Sequence, residues 1–132
     1  MESGLRALLY VSQLAEGLDA RAVAQVLAVA RLNNAVHRET GVLVFDGEQF
    51  CQYVEGETPR IRALLRNLLA DPRHENMRIL ADLPIGARHF QSFRMGYVTV
   101  DDVDVLHGLA NAQAGEAVAR FQQLVASFDV EE

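Results

Sequence analysis

The chain has no run of 18 apolar residues, a single cysteine and no glycine-rich phosphate loop, and each absence removes a class of protein. Without a long apolar run no membrane-spanning helix is expected. The opening MESGLRALLYVSQ is too polar for a signal peptide and lacks a small-residue cleavage pattern. A soluble, cytoplasmic protein is the expectation. Cys51 cannot form an internal disulfide and has no Cys or His at metal-ligand spacing, so it reads as strand packing. His37, His74, His89 and His107 show no metal spacing either, and no Ser or Cys lies in a nucleophile elbow. Basic charge is scarce: 12 Lys and Arg stand against 18 Asp and Glu, a formal charge of −6, which works against broad phosphate-backbone contact. No direct nucleic-acid partner is expected. The grouping Arg60, Arg62, Arg66, Arg73 and Arg78 reads as solvated helix-face charge, with one or two of these open to a small anionic group.

What is present is enough apolar residue, half of 132, for one domain with a single core. Leu5–Val11 predicts a strand with Leu8 and Tyr10 on one face and Ala7, Leu9 and Val11 on the other. Asp19 is a good N-cap for a helix carrying Val23, Val26, Leu27 and Ala30, expected to end near Asn33-Asn34. The stretch GVLVFDGEQFCQYVEG at 41–56 predicts a hairpin about an Asp46-Gly47 turn. Thr58-Pro59, as N-cap and first helical residue, opens a second helix with the stripe Ile61, Leu64, Leu65, Leu68 and Leu69, stopped before Pro72. Met77–Leu83 and Met95–Val100 predict two more strands, with Pro84–Arg88 as a connection. The order βαββαβ plus an extra strand is a ferredoxin-like α+β fold with both helices on one sheet face. The tail carries two weaker helical patterns, Val103-Leu106-Ala110 and Val118-Phe121-Leu124-Val125-Phe128. It is expected to cover the bare face or to meet a second copy. The chain divides into a core over 1–100 and a helical extension over 101–132.

Gln52 is the residue out of place. On its strand it shares a side with Phe50 and Val54, so if these face the core, an amide faces it too. A buried amide costs roughly 1–3 kcal/mol per missing hydrogen bond, so a partner is required, either elsewhere in the chain or in a ligand. Tyr10, Asn33, Asn34 and Gln52 together offer hydroxyl and amide groups without charge, which suits a neutral planar heterocycle. Taken singly, each also reads as ordinary packing or helix termination. Asp-Pro-Arg-His at 71–74 reads as a helix-ending loop or as a contact for a ligand phosphate through Arg73 and His74.

Read together, LLYVS at 8–12, ARLNN at 30–34, TGVLVFDGEQFCQYVEG at 40–56, DPRH at 71–74 and ARHFQSFRMGY at 87–97 resemble the BLUF domain family of flavin-based blue-light sensors over nearly all of Leu5–Val100. The resemblance implies FAD bound non-covalently with its ring between the two helices, FMN or riboflavin being able to enter the same site. It implies that Tyr10, Gln52 and Met95 are the photoactive residues, and that blue light moves an electron and then a proton from Tyr10 and leaves the Gln52 amide rearranged. An amide suits that role because it can exchange donor and acceptor ends without burying a charge. Cofactor contacts are implied for Tyr10, Asn34, Gln52 and Met95, with Asn33 secondary and Arg31, Arg73 and His74 toward the ribityl or phosphate groups. Phe93 stands where many members carry tryptophan and has no N–H to exchange. The resemblance further implies a stand-alone, non-enzymatic sensor that forms a homodimer or higher homo-oligomer and acts through a protein that the sequence does not name. Two alternatives are a small acylphosphatase-like hydrolase, which needs an arginine in a phosphate-cradling loop, and a colourless ferredoxin-like interaction module.

Overall fold

The first strand is buried on both faces, from Ala7 to Ser12. In the computed structural model, which describes residues 4–90, 96–99, 106, 108–109 and 111–126, β1 runs Leu5–Leu14, past the predicted Val11. Leu8 and Tyr10 lie in one apolar cluster, and Ala7, Leu9 and Val11 in another on the opposite sheet face. The strand is longer than predicted because both neighbours continue: Gln13 is opposite Gln49 on one side and Glu75 on the other.

Helix α1 (Ala20–His37) starts as expected, the Asp19 carboxylate accepting the Arg21 N–H at 2.9 Å. It does not end at Asn33-Asn34. Arg38 takes the left-handed position, at φ 57°, and donates its N–H to the Asn34 carbonyl, so both asparagines stay inside the helix. Strands β2 (Thr40–Phe45) and β3 (Gln49–Glu57) form the hairpin. Asp46 Oδ1 accepts N–H groups from Glu48 (2.9 Å) and Gln49 (2.7 Å), and Gly47 supplies a φ of 100°. At Gly41 a Cβ would stand 2.0 Å from the Tyr53 carbonyl oxygen, so the two strands approach there only because glycine has none.

Helix α2 (Thr58–Ala70) carries Pro59 in its first turn. Thr58 is not its cap: Glu57 holds that position with no side-chain bond, and the Thr58 hydroxyl donates to the Gly4 carbonyl instead, tying the helix to the start of β1. Strand β4 (His74–Ile85) is longer than predicted at both ends and absorbs Pro84 and Ile85. Proline is tolerated because β4 is an edge strand. Strand β5 (Gly96–Thr99) lies within the predicted Met95–Val100, whose end residues fall outside those described.

The sheet order is β4-β1-β3-β2-β5, antiparallel except for β5, which runs parallel to β2. This is the ferredoxin-like α+β arrangement with one added strand. From α1, Val23, Leu27 and Ala30 pack on Leu43, Phe45 and Phe50; from α2, Ile61, Leu64 and Leu68 pack on Leu8, Tyr10 and Val54. The other face is covered by the chain's own tail. In α3 (Ala114–Ala126), Ala117, Phe121 and Val125 are buried with Leu9, Val44 and Tyr53, and Leu106 and Leu109 join them. Burial of a side chain such as Phe121 contributes about 1.5–3 kcal/mol. Val103, Ala110 and Phe128 of the predicted patterns lie outside the described residues, as do Phe93 and Met95. Among the described residues, no helix is long and apolar enough to cross a membrane.

Candidate functional site

Register brings the site together. Tyr10 of β1 stands directly opposite Gln52 of β3, and both point to the face carrying α1 and α2. The Tyr10 hydroxyl donates to Gln52 Oε1. Tyr10 is fully buried, and burial, with smaller pushes from Cys51 and Asp71, raises its phenol well above the ordinary value. The hydroxyl therefore keeps its proton and acts as a donor. The register between β1 and β4 shifts at Leu9/Tyr10, beside the site.

Above Gln52, a cavity of about 140 Å³ opens between the helices. Val26, Val29 and Ala30 of α1 and Leu64 and Leu68 of α2 give it apolar walls. Gln52, Asn33, Asn34, Asn67, Asp71, Arg73 and His74 supply the polar edge, so five of the residues proposed from sequence converge on one space. Asn34 is 2% exposed, whereas Asn33 is exposed at the rim. Arg31 lines neither this cavity nor the adjoining one. Met95 and Phe93 are outside the described residues.

His74 is held by its neighbours. Its Nδ1 lies 2.8 Å from the Ser12 hydroxyl, and its ring packs edge-on against Phe50 at 5.3 Å and Tyr10 at 6.1 Å. Burial lowers its pKa, Asp71 opposing, which favours the neutral imidazole. Its buried Nε2 has no partner among the described residues. Arg73, proposed to reach a phosphate, instead spends its Nε and Nη2 on the Asp71 carboxylate, at 3.0 and 2.8 Å. This pair holds the Asp71 carboxyl below its usual range.

Ser12, Asn67 and Asp71 were missed from sequence. The signal for Ser12 was available, since it follows Tyr10 by two on the same strand face. For Asn67 it was helical spacing from Leu64 and Asp71. Cys51 is fully buried among apolar neighbours and burial raises its thiol pKa, in keeping with a packing role. On the opposite sheet face, the buried Glu55 carboxylate accepts the Tyr53 hydroxyl (2.9 Å) and the backbone N–H groups of His89 (2.8 Å) and Phe90 (2.9 Å). Arg88 reaches back to the Glu55 carbonyl at 3.0 Å. The segment after β4 is thereby fastened to the strand that carries Gln52.

An apolar slot with amide donors and acceptors on one edge and an orphaned imidazole nitrogen fits a planar heterocycle such as a flavin ring. The comparisons agree. The family model described as sensors of blue-light using FAD matches residues 5–96. The blue light- and temperature-regulated antirepressor BluF of Escherichia coli (strain K12) is 29% identical over 73 residues, covering 55% of this chain and 18% of that protein. The photoactivated adenylate cyclase subunit alpha of Euglena gracilis is 31% identical over 104 residues, covering 77% of this chain and 10% of the enzyme. The chain thus spans less than a fifth of either relative. Among solved structures, the dark state of the BLUF protein BlrB superposes with a TM-score of 0.81 at 26% identity, covering 96% of this chain and 98% of that one. The chain belongs to the BLUF family of blue-light sensors, whose cofactor is FAD.

Proposed function

We propose that this chain is a blue-light photoreceptor in which Tyr10 and Gln52 form one photochemical unit beneath a non-covalently held FAD. The observation that carries the reading is the Tyr10-to-Gln52 hydrogen bond at the base of a cavity lined on both sides by helix. The flavin, when bound, supplies the blue-light absorption and the acceptor for an electron and a proton. Tyr10 Oη is the source of that proton, and the Gln52 carbonyl oxygen it now faces is the group that must change partners when the hydroxyl hydrogen leaves. Asn34, Asn33 and His74 hold the ring edge, and Asp71 fixes Arg73 near the more polar end. The contact assigned to Met95 rests on the family resemblance alone.

The sensor acts without chemistry of its own on a substrate, in the cytoplasm, as a homodimer or higher homo-oligomer that passes its state to another protein. The hydrolase alternative lacks its arginine: Ala15–Asp19, the loop after β1, contains none. Absorption spectra before and after blue light test the proposal. A reversible red shift of the flavin bands is expected in the wild type and its loss, with flavin still bound, in Tyr10→Phe and Gln52→Leu. Protein that takes up no flavin from excess FAD would leave the colourless interaction module as the reading.

A further inference from the structure

A surface helix ordinarily divides its side chains between an apolar stripe on the core and a polar face toward water. Helix α1 does not. Val23, Leu27 and Ala30 pack inward, yet its outer side, through Gln25, Ala28, Leu32, Ala35 and Val36, is exposed and carries no charge. Leu32 and Val36 are each 68% exposed, more than any other large apolar side chain among the described residues. Ala28, Leu32 and Val36 recur every fourth residue, so they form one stripe along the helix. Helix α2 differs, turning Arg62 and Arg66 to water at the same spacing. Neither Leu32 nor Val36 lines the cavity above Gln52 or the space adjoining it, so a bound flavin does not account for them. Helix α3 does not cover them either, being packed on the opposite sheet face. A helix that is apolar all round is one that a second body covers.

Charge decides what fits there. Residues 20–37 contain no Asp or Glu, although acids outnumber bases 18 to 12 in the chain. The nearest acids in sequence are Asp19, which caps the helix, and Glu39, which is buried. Arg21 stands at the start of the stripe, Arg31 on its flank and Arg38 just past its end. We infer that the outer face of α1 docks an acidic amphipathic helix of another protein, with apolar anchors on Leu32 and Val36 and carboxylates toward Arg21, Arg31 and Arg38. A second copy of α1 would bring three more arginines and no acid to the same seam, so like charge opposes self-pairing. An anionic bilayer is a poorer match, because the helix has no aromatic side chain or lysine and the chain carries a net −6. The inference deepens the sensor reading by naming the kind of protein that receives its state. Asn33 and Asn34, assigned to the ring edge, follow Leu32 on the same helix, so partner and flavin would meet one element from different sides. Docking itself needs no flavin.

Fluorescence anisotropy of two labelled, designed helical peptides as long as α1, with the same leucine stripe flanked by glutamates in one and lysines in the other, tests this against the full chain. The glutamate peptide should bind at least about tenfold more tightly than the lysine peptide, and added salt should erase the difference. Leu32→Glu and Val36→Glu should each weaken the glutamate peptide at least about tenfold, whereas Leu69→Glu, at a comparably exposed site on α2, should leave it within about twofold. Circular dichroism reports that each variant is folded. Equal binding of the two peptides, binding of neither, or indifference to Leu32→Glu would overturn the inference. So would a wild-type dimer in light scattering that Leu32→Glu dissociates, which gives the face to a second copy. Co-sedimentation with phosphatidylglycerol vesicles that Leu32→Glu abolishes would give it to a membrane instead. Flavin uptake, followed in the same samples, separates the two readings: a colourless chain that still selects the glutamate peptide through Leu32 keeps the docking face and loses the photoreceptor.

Discussion

Glu39→Gln should make the protein more stable above neutral pH and leave it nearly unchanged in acid. Glu39 ionises near 4.5 when exposed and near 7 in the fold, where burial is the main cause and Arg60 and Arg88 oppose it. Between these values the folded chain holds a proton that the unfolded chain has released, so stability from this position falls as pH rises through that window and levels off above about 7. Each unit is worth ~1.4 kcal/mol, which sets an upper bound of ~3 kcal/mol for the whole effect. Glutamine carries no such proton and remains neutral throughout. Every other titrating group is common to both proteins and cancels in the difference. Urea unfolding by far-UV circular dichroism from pH 4 to 8.5 reads it directly. With a slope of about 1–3 kcal/mol per molar urea, the variant's midpoint should lie about 1 M higher at pH 8, converging with the wild type at pH 4. A difference that stays constant over this range would refute the reasoning. So would a variant less stable at pH 8, because that would mean the attraction of Arg60 and Arg88 outweighs burial.

The remaining expectations concern neighbouring residues. Tyr10→Phe keeps the ring but strips the buried Gln52 oxygen of its donor, so a loss of about 1–3 kcal/mol in urea unfolding should accompany the lost red shift; full stability would show that another donor serves Gln52. Glu55→Ala takes the acceptor from the Tyr53 hydroxyl, which keeps its bond with Gln122, and from two backbone N–H groups, and should cost about 3–5 kcal/mol and raise amide exchange at His89 and Phe90, with Glu55→Gln intermediate. Unchanged exchange would remove that network from the account. Gly41→Ala drives a methyl into the Tyr53 carbonyl, and should cost upward of about 3 kcal/mol by thermal melting; a near-neutral result would mean the hairpin strands can separate there.

Local patterns determine much of this protein without any tertiary contact. Two-residue alternation placed Tyr10 and Gln52 on the same kind of face, Asp46-Gly47 could only be a turn, and the stripe from Ile61 to Leu68 could only be a helix needing apolar cover. These features are legible because each depends on neighbours a few residues away. The end of α1 was not, since the left-handed residue is Arg38 and nothing in the Asn33-Asn34 pair announces it. Longer-range facts were beyond the sequence for a different reason. That Tyr10 bonds Gln52, that Ser12 holds His74 and that Glu55 fastens the segment after β4 follow from strand register between residues dozens of positions apart. The claim of Asp71 on Arg73 depends on how one loop folds back on itself, and burial of Glu39 depends on the closeness of Gly56. Sequence determined which side chains were available to the site; only the packed sheet and its two helices decided which were already partnered and which were left facing the cavity.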